Sequence, residues 1–310
     1  MEYRRLGKSG LKVSEIGLGG NNFGGWADEH TSIRIIDTAL ELGINFIDTA
    51  AMYSQGKSEE IIGKALKGKR SQVIIATKFG HSVSLGPREL GGSRSYIMKA
   101  VDLNLKRLDT DYIDLYYIHY PDMETPVEET LRTLDDLVRA GKVRYLACSN
   151  FAAWQLCEAI WCSNLHNLEP FIAVQSRYNL LDRAIERELV PCCQRYGIGV
   201  VPWGPLASGF LTGKYQRGEN ILAGVRLANP PAIYRDVLTN ANFDSLARLE
   251  AFAREHGHTV GELAIAWLLS HPWLGSVIAG ATSTEQLTSN AKATEWKLSA
   301  SDIAHLEKIT

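Results

Sequence analysis

Tyr112-Ile113-Asp114-Leu115-Tyr116-Tyr117-Ile118-His119 is followed by Thr125-Pro126-Val127-Glu128-Glu129-Thr130-Leu131-Arg132-Thr133-Leu134-Asp135-Asp136-Leu137-Val138-Arg139-Ala140-Gly141, and then by Val143-Arg144-Tyr145-Leu146-Ala147-Cys148-Ser149-Asn150. The first run is apolar almost throughout, as a strand buried on both faces must be. In the second, Val127, Leu131, Leu134 and Val138 fall on one helical stripe. Thr125 and Glu128 fit a capping box, Pro126 suits the first helical position, and Gly141 ends the helix. The third run is again a buried strand. A helix between two such strands returns the chain so that they lie parallel. Each strand ends in polar residues: His119 in one case, Ser149 and Asn150 in the other.

The same alternation extends in both directions. Short β-rich runs occur at Val13–Leu18, Ile44–Ile47, Val73–Thr77, Tyr112–Ile118, Val143–Cys148, Phe171–Val174, Ile198–Val201 and Ser276–Ala279. Helical patterns lie between them at Ile33–Leu40 (closed by Gly43), Ser58–Leu66, Ser93–Leu108 and Ala184–Tyr196. Eight strand–helix units predict an α/β fold, a closed (β/α)₈ TIM barrel over residues 1–310 as one domain. An open doubly wound sheet would need a dinucleotide fingerprint after its first strand, and Gly17-Leu18-Gly19-Gly20 lacks the G-x-G-x-x-G spacing. Three pieces fall outside the repeat: a hairpin over Tyr3–Val13, a long connection over Gly204–Gly257, and a terminal helix over Ser299–Ile309. A connection as long as the second is usually functional.

Composition narrows the function. Thirty-three Lys and Arg against 35 Asp and Glu leave a net charge of −2, so nothing points to nucleic acid or an anionic membrane. The densest basic stretch, Lys64–Arg70, reads as a helix C-terminus. No signal-peptide pattern follows Met1, and no run approaches ~18 apolar residues, so a cytoplasmic protein without a membrane span is expected. Five cysteines, Cys148, Cys157, Cys162, Cys192 and Cys193, include no CxxC pair. Reduced structural thiols are expected, with no metal site and no disulfide framework. Nothing decides between monomer and homo-oligomer.

Reactive groups of a barrel enzyme sit at the C-terminal ends of its strands. Asp48 follows the second run and Tyr53 comes five residues later; Lys78 follows the third, His119 the fourth, Ser149 and Asn150 the fifth, Gln175 the sixth, Trp203-Gly204-Pro205 the seventh and Gly280 the eighth. A lysine leaving a buried strand needs a counter-charge, and Asp48 can supply it. A nearby ammonium lowers a phenol's pKa from about 10. A tyrosine so tuned can protonate an alkoxide that develops as hydride reaches a carbonyl carbon. An imidazole opposite can orient the carbonyl oxygen. A Schiff-base role for Lys78 would leave Tyr53 and the Trp203 loop unexplained.

Gly43-Ile44-Asn45-Phe46-Ile47-Asp48-Thr49-Ala50-x-x-Tyr53 resembles the G-x-x-x-x-D-T-A-x-x-Y signature of the aldo-keto reductase superfamily. Ser58-Glu59-x-x-Ile62-Gly63, Ile75-Ala76-Thr77-Lys78, Asp114-Leu115-x-x-Ile118-His119-x-Pro121-Asp122 and Cys148-Ser149-Asn150-Phe151 are similar to further motifs of that family. The resemblance covers nearly the whole chain and is nearest the bacterial and potassium-channel β-subunit-like branches. It implies an NADPH-dependent carbonyl reductase with Asp48, Tyr53, Lys78 and His119 as catalytic residues. It further implies cofactor contacts from Gly20, Asn21 and Asp48; carboxamide contacts from Ser149, Asn150 and Gln175; and stacking by Trp203. By the same resemblance Gly204-Pro205-Leu206-x-Ser208-Gly209 is a pyrophosphate loop in which Gly204 replaces a usual serine. Lys214 and Arg226 are implied phosphate contacts. Gly280, Thr282, Gln286 and Asn290 are implied adenosine contacts.

Many members place cations where this chain has Gly280 and Gln286. Phosphate selectivity would then rest on Lys214, Arg226 and the hydroxyls of Thr282 and Ser283. The cofactor implied is NADP(H), with NAD(H) as the alternative. Residues 204–257 would fold over it, stiffened by Pro230-Pro231. Phe23, Trp26, Met52 and Tyr120 are the candidate substrate contacts, with Asn22 and Arg94 as polar additions. The expected substrate is a small aldehyde, ketone or sugar-like carbonyl. The alternatives are an NAD(P)-linked alcohol or sugar dehydrogenase working in the oxidative direction, and a redox-sensing, cofactor-binding subunit with slow turnover.

Overall fold

The computed structural model describes residues 1–80, 91–218, 224–228, 230, 234–235 and 237–309. A hairpin of β1 (Tyr3–Arg5) and β2 (Lys12–Ser14) precedes the first barrel strand, β3 (Ile16–Gly19). There follow α1 (Glu29–Glu41), β4 (Phe46–Asp48), α2 (Lys57–Ala65), β5 (Ile74–Phe79), α3 (Arg94–Leu108), β6 (Ile113–Ile118), α4 (Val127–Arg139), β7 (Val143–Ser149), α5 (Ala153–His166), β8 (Phe171–Arg177), α6 (Leu189–Tyr196) and β9 (Gly199–Trp203). The chain ends with α7 (Asn240–Glu255), α8 (Val260–Leu269), β10 (Val277–Gly280), α9 (Thr284–Lys292) and α10 (Ala300–Ile309). Strands β3 to β10 close into a parallel eight-stranded barrel. This is the (β/α)₈ fold the alternation predicts.

Strand periodicity positions the site. Successive side chains point to opposite faces, so one set fills the barrel axis and the other meets the helices. Phe46, Ala76, Leu115, Tyr117, Ala147, Ala173, Val201 and Ile278 form the inner cluster, sealed from below by Leu6 and Val13 of the hairpin. Two residues further along the same inward face come Asp48, Lys78, His119, Ser149, Gln175, Trp203 and Gly280. All of these except His119 lie within their strands rather than beyond them. The rim residues therefore inherit the rigidity of the barrel. The outward set, Ile47, Ile75, Tyr116 and Val174 among others, packs against the helices.

Local details depart from the sequence expectations in four places. The run Val13–Leu18 spans two strands, since β2 pairs with β1 and only Ile16–Gly19 joins the barrel. The helix expected from Thr125 starts at Val127, with Pro126 as N-cap and no side-chain cap. Pro126 is itself extended (ψ 131°), so the helix begins after it and Thr125 lies one residue outside the N-cap; Asp122 accepts from the amides of Glu124 (2.8 Å) and Thr125 (3.3 Å). Ala184–Glu186 is a 3₁₀ turn separate from α6. The connection from Gly204 to Gly257 includes helix α7, so only its first part can cross the rim, and Pro231 lies outside the described residues. The basic stretch is ion-paired: Lys64 with Glu29 (2.9 Å), Lys69 with Asp37 (2.6 Å) and Arg70 with Asp114 (2.6 Å).

One buried polar network ties α2 and α3 to the barrel behind Lys78. Glu59 has no exposed surface. Its Oε1 accepts from Thr77 Oγ1 and Asn104 Nδ2, both at 2.6 Å, and its Oε2 accepts from Arg107 at 3.3 Å. Tyr116 donates in turn to Asn104 Oδ1 (2.8 Å). Burial pushes the Glu59 carboxyl above its usual range despite these donors. Removing one partner of a buried charge is strongly destabilising. Arg107 is one-fifth exposed and Glu59 keeps two other donors, so Arg107→Met is expected to cost about 2 kcal/mol in urea unfolding.

Candidate active site

Asp48, Lys78 and His119 reach the barrel mouth from neighbouring strands, and Tyr53 leans in from the turn after β4. Lys78 Nζ donates to Asp48 Oδ1 (2.6 Å) and Thr49 O (2.8 Å), and reaches Tyr53 Oη at 3.5 Å. The Lys78 and Asp48 side chains are 0% and 3% exposed, so each charge depends on the other. Asp48 Oδ2 is used as well, accepting from Gln175 Nε2 (2.8 Å). Tyr53 is followed by Ser54 and Gln55 in left-handed conformation, φ +48° and +56°, a sharp turn that aims the phenol inward. The His119 ring stands edge-on to Tyr53 with centroids 6.1 Å apart.

Burial pushes the Tyr53 phenol above its ordinary value; Lys78 pulls it down and Asp48 pushes it up. The net direction corrects the expected lowering, because desolvation outweighs a single ammonium that Asp48 already neutralises. The phenol is thus held protonated at neutral pH. Burial opposes the Lys78 charge, but Asp48 and then Tyr53 outweigh it, and the ammonium is held above its ordinary pKa.

A second hydrogen-bonded group adjoins the first. Asn150, at φ +60°, donates from Nδ2 to His119 O (3.0 Å) and Ser149 Oγ (3.1 Å). Its Oδ1 accepts from Trp203 Nε1 (3.2 Å), and Ser149 Oγ donates to Gln175 O (3.0 Å). Ser149, Asn150, Gln175 and Trp203 are therefore brought together as the sequence predicts. Past Trp203 the chain turns tightly through Gly204, Pro205, Leu206, Ser208 and Gly209. Gly204 sits at φ +69°, and a Cβ there would collide with the Tyr234 hydroxyl. Glycine in place of serine thus has a local cause: a tyrosine hydroxyl, hydrogen-bonded to Ser208, takes the room. Burial pushes the Tyr234 phenol up to about 12. Nothing in the sequence around Tyr234 marks it as part of the site.

Lys214 lies against the same turn, where a Cβ on Gly209 would come 2.8 Å from its Nζ. Burial and then Arg226 lower the Lys214 pKa, and burial lowers that of Arg226. No carboxylate among the described residues pairs with either cation. Arg226 donates to Asn22 Oδ1, and Asn22 Nδ2 donates to Ala281 O (3.1 Å), so this segment is pinned across the rim to the ends of β3 and β10.

The last expected subsite is more self-contained. A Cβ on Gly280 would approach Asn21 Oδ1 to 3.0 Å and Asn22 Nδ2 to 3.1 Å, so a larger residue here would have to push the two asparagine side chains aside. Gly20 begins the 3₁₀ turn that carries both asparagines. Thr282 donates to Gln286 Oε1 from its amide (2.9 Å) and hydroxyl (3.0 Å). Ser283 caps α9 by accepting from Gln286 N (3.3 Å) and donates to Glu285. The hydroxyls expected to select phosphate are thus engaged with their own helix. Asn290 differs: it is buried and its Nδ2 has no partner.

Of the substrate candidates, Trp26 is 54% and Tyr120 40% exposed, and Met52 is half-buried. Tyr120 stacks on His119 with centroids 5.0 Å apart. Phe23 is a correction: it has no exposed surface and belongs to the core under the rim. Its apolar ring, in a short loop between β3 and α1, follows the ordinary preference for burial. Arg94 is engaged with Asp136 (2.6 Å) on the outer helices rather than at the mouth.

Comparison with known proteins identifies the family. Residues 15–310 match the Aldo/keto reductase family. The chain is 39% identical to a probable voltage-gated potassium channel subunit beta of Oryza sativa subsp. japonica, over 94% of this chain and 91% of that protein. It is 36% identical to the versiconal hemiacetal acetate reductase of Aspergillus parasiticus (99% and 96%) and 36% identical to the aldo-keto reductase YhdN of Bacillus subtilis strain 168 (97% and 91%). No described helix is long and apolar enough to cross a membrane. The chain belongs to the aldo/keto reductase family, oxidoreductases of carbonyl groups that use NAD(P)H.

Proposed function

We propose that the protein is an NADP(H)-dependent reductase of a small aldehyde, ketone or sugar-like carbonyl, with Tyr53 as general acid. The observation that carries this reading is the Lys78 ammonium, buried between Asp48 at 2.6 Å and the Tyr53 hydroxyl at 3.5 Å. Bound NADPH supplies the hydride. Tyr53, held protonated by burial, gives its proton to the carbonyl oxygen as negative charge develops there. Lys78 stabilises the phenolate left behind, and Asp48 keeps Lys78 charged and aimed. His119 orients the carbonyl oxygen from the other side. Ser149, Asn150 and Gln175 would hold the nicotinamide carboxamide, and Trp203 would stack on the nicotinamide ring. The unsatisfied Nδ2 of buried Asn290 suits an adenine nitrogen, since a buried donor left unpaired costs about 1–3 kcal/mol.

The preference for the phosphorylated nucleotide rests on Lys214 and Arg226, two partly buried cations that no described carboxylate neutralises. Trp26, Met52 and Tyr120 would line the substrate's path. Cytoplasmic residence and a single domain over residues 1–310 complete the reading.

The test is a fluorescence titration with NADPH and NADH, read through Trp203. NADPH is expected to quench strongly and bind more tightly than NADH. Lys214→Ala should weaken NADPH by roughly tenfold, the loss of one charge-assisted contact, and leave NADH unchanged. Arg226→Ala should weaken both nucleotides, because it also releases the segment from Asn22. Equal affinity for the two nucleotides would remove the NADP(H) preference and favour the NAD-linked alternative. Quenching by neither would remove the reductase reading.

A further inference from the structure

The site described above uses none of the cysteines, yet two of them meet on the outside of the barrel. Cys157 projects from α5 and Cys192 from α6, and their sulfurs lie 3.4 Å apart although 35 residues separate them in sequence. Both residues are half-buried, so small solutes reach them. Cys192 Sγ also points to Ala153 O at 3.9 Å. Cys193, next in the chain, faces the core and is buried; so is Cys148 on β7.

We propose that Cys157 and Cys192 form a redox-modification site, closing to a disulfide on exposure to a hydroperoxide and so clamping α5 to α6. The sulfurs need approach by only about 1.4 Å to reach a bonding distance of about 2.05 Å. The chemistry balances with hydrogen peroxide as oxidant. The Cys157 thiolate attacks one peroxide oxygen, the O–O bond breaks, and the hydroxide released leaves as water with the proton Cys157 lost. The Cys192 sulfur then attacks the sulfenic sulfur of Cys157. The S–O bond breaks, the S–S bond forms, and a second water carries off the remaining proton. Two thiols are oxidised and one peroxide is reduced to two waters.

Burial and contact with Cys157 push the Cys192 thiol up to about 12. The two sulfurs are interchangeable in this scheme: whichever meets the oxidant, the other, 3.4 Å away, resolves it. Cys193, also pushed up to about 12 by burial, and the fully buried Cys148 are kept out of the reaction.

The test uses the full-length, fully reduced protein treated with hydrogen peroxide and analysed by intact mass and non-reducing peptide mapping. The expected product has lost two hydrogens, carries one Cys157–Cys192 cross-link and reverts with dithiothreitol. Cys157→Ser and Cys192→Ser should each abolish the cross-link, whereas Cys193→Ser should leave it. None of the three touches the proposed catalytic group, so reductase activity serves as the folding control. Oxidised wild type should also melt a few degrees above the reduced form, because the cross-link restrains the unfolded chain. That shift should vanish in Cys157→Ser. Oxygen addition without a cross-link, or a link that survives Cys192→Ser, overturns the proposal.

Discussion

Tyr53→Phe is expected to lower kcat for carbonyl reduction by roughly 10² to 10⁴-fold, the range a positioned general acid supplies. The same change should leave the Kd for NADPH within about twofold, because the phenol ring and the Asp48–Lys78 pair stay in place. Stability should change little: Tyr53 Oη meets Lys78 only at 3.5 Å, and its removal also relieves a buried polar group. The wild-type pH profile carries the same assignment. The acid must be protonated to act, and burial raises its pKa above the ordinary value of about 10. The kcat/KM for reduction should therefore stay flat through neutral pH and fall only as pH rises through that alkaline pKa. In Tyr53→Phe the alkaline limb should disappear along with most of the rate. A variant that kept near wild-type kcat would move the acid role elsewhere, and His119 would be the next residue to replace.

The barrel was legible because its strands are apolar on both faces and its helices carry one stripe, so Tyr112–Asn150 already displays the repeating unit. The site was legible for a related reason. From β4 to β9 the inward face ends on, or just before, a polar or aromatic residue, and two-residue periodicity brings Asp48, Lys78, Ser149, Gln175 and Trp203 to the same level. What escaped the sequence are effects of burial and long-range contact. Thr125 and Glu128 have capping-box spacing, but Pro126 is itself extended and is the N-cap, so the helix starts one residue later and Thr125 lies outside it. Phe23 looks like a pocket residue until the core closes over it. Tyr234 fills the space beside Gly204 from thirty positions away. The Tyr53 pKa moves opposite to what its lysine neighbour alone would dictate, because a sequence shows the neighbour and not the desolvation. Glu59, read only as the continuation of a motif, proves to be the centre of a buried network that backs β5 just behind Lys78.

Lys78→Met should separate the two roles that the ammonium combines. Structurally, it leaves the Asp48 carboxylate buried with only Gln175 as a side-chain donor, an expected loss of about 3 kcal/mol in unfolding free energy. Adding Asp48→Asn removes that stranded charge, so the double variant should regain most of the stability. Catalytically, the single variant deletes the one group that pulls the Tyr53 pKa down, while burial and Asp48 still push it up. The alkaline limb of the reduction profile should accordingly move to higher pH. The phenolate formed as the proton leaves also loses its counter-charge, so kcat should fall by about 10²-fold or more. Oxidation of the product alcohol should suffer further. It needs Tyr53 as phenolate, and below the pKa each unit of increase removes about tenfold of that form. Measuring both directions at one pH in the single variant, at a temperature where it stays folded, distinguishes the roles; the double variant is the stability control, because it removes Asp48's upward push on Tyr53 together with Lys78's downward pull. A larger loss in oxidation than in reduction, with a displaced limb, places Lys78 in the proton transfer. Equal losses with an unmoved limb would reduce it to a structural partner of Asp48, and the general-acid assignment of Tyr53 would lose its electrostatic support.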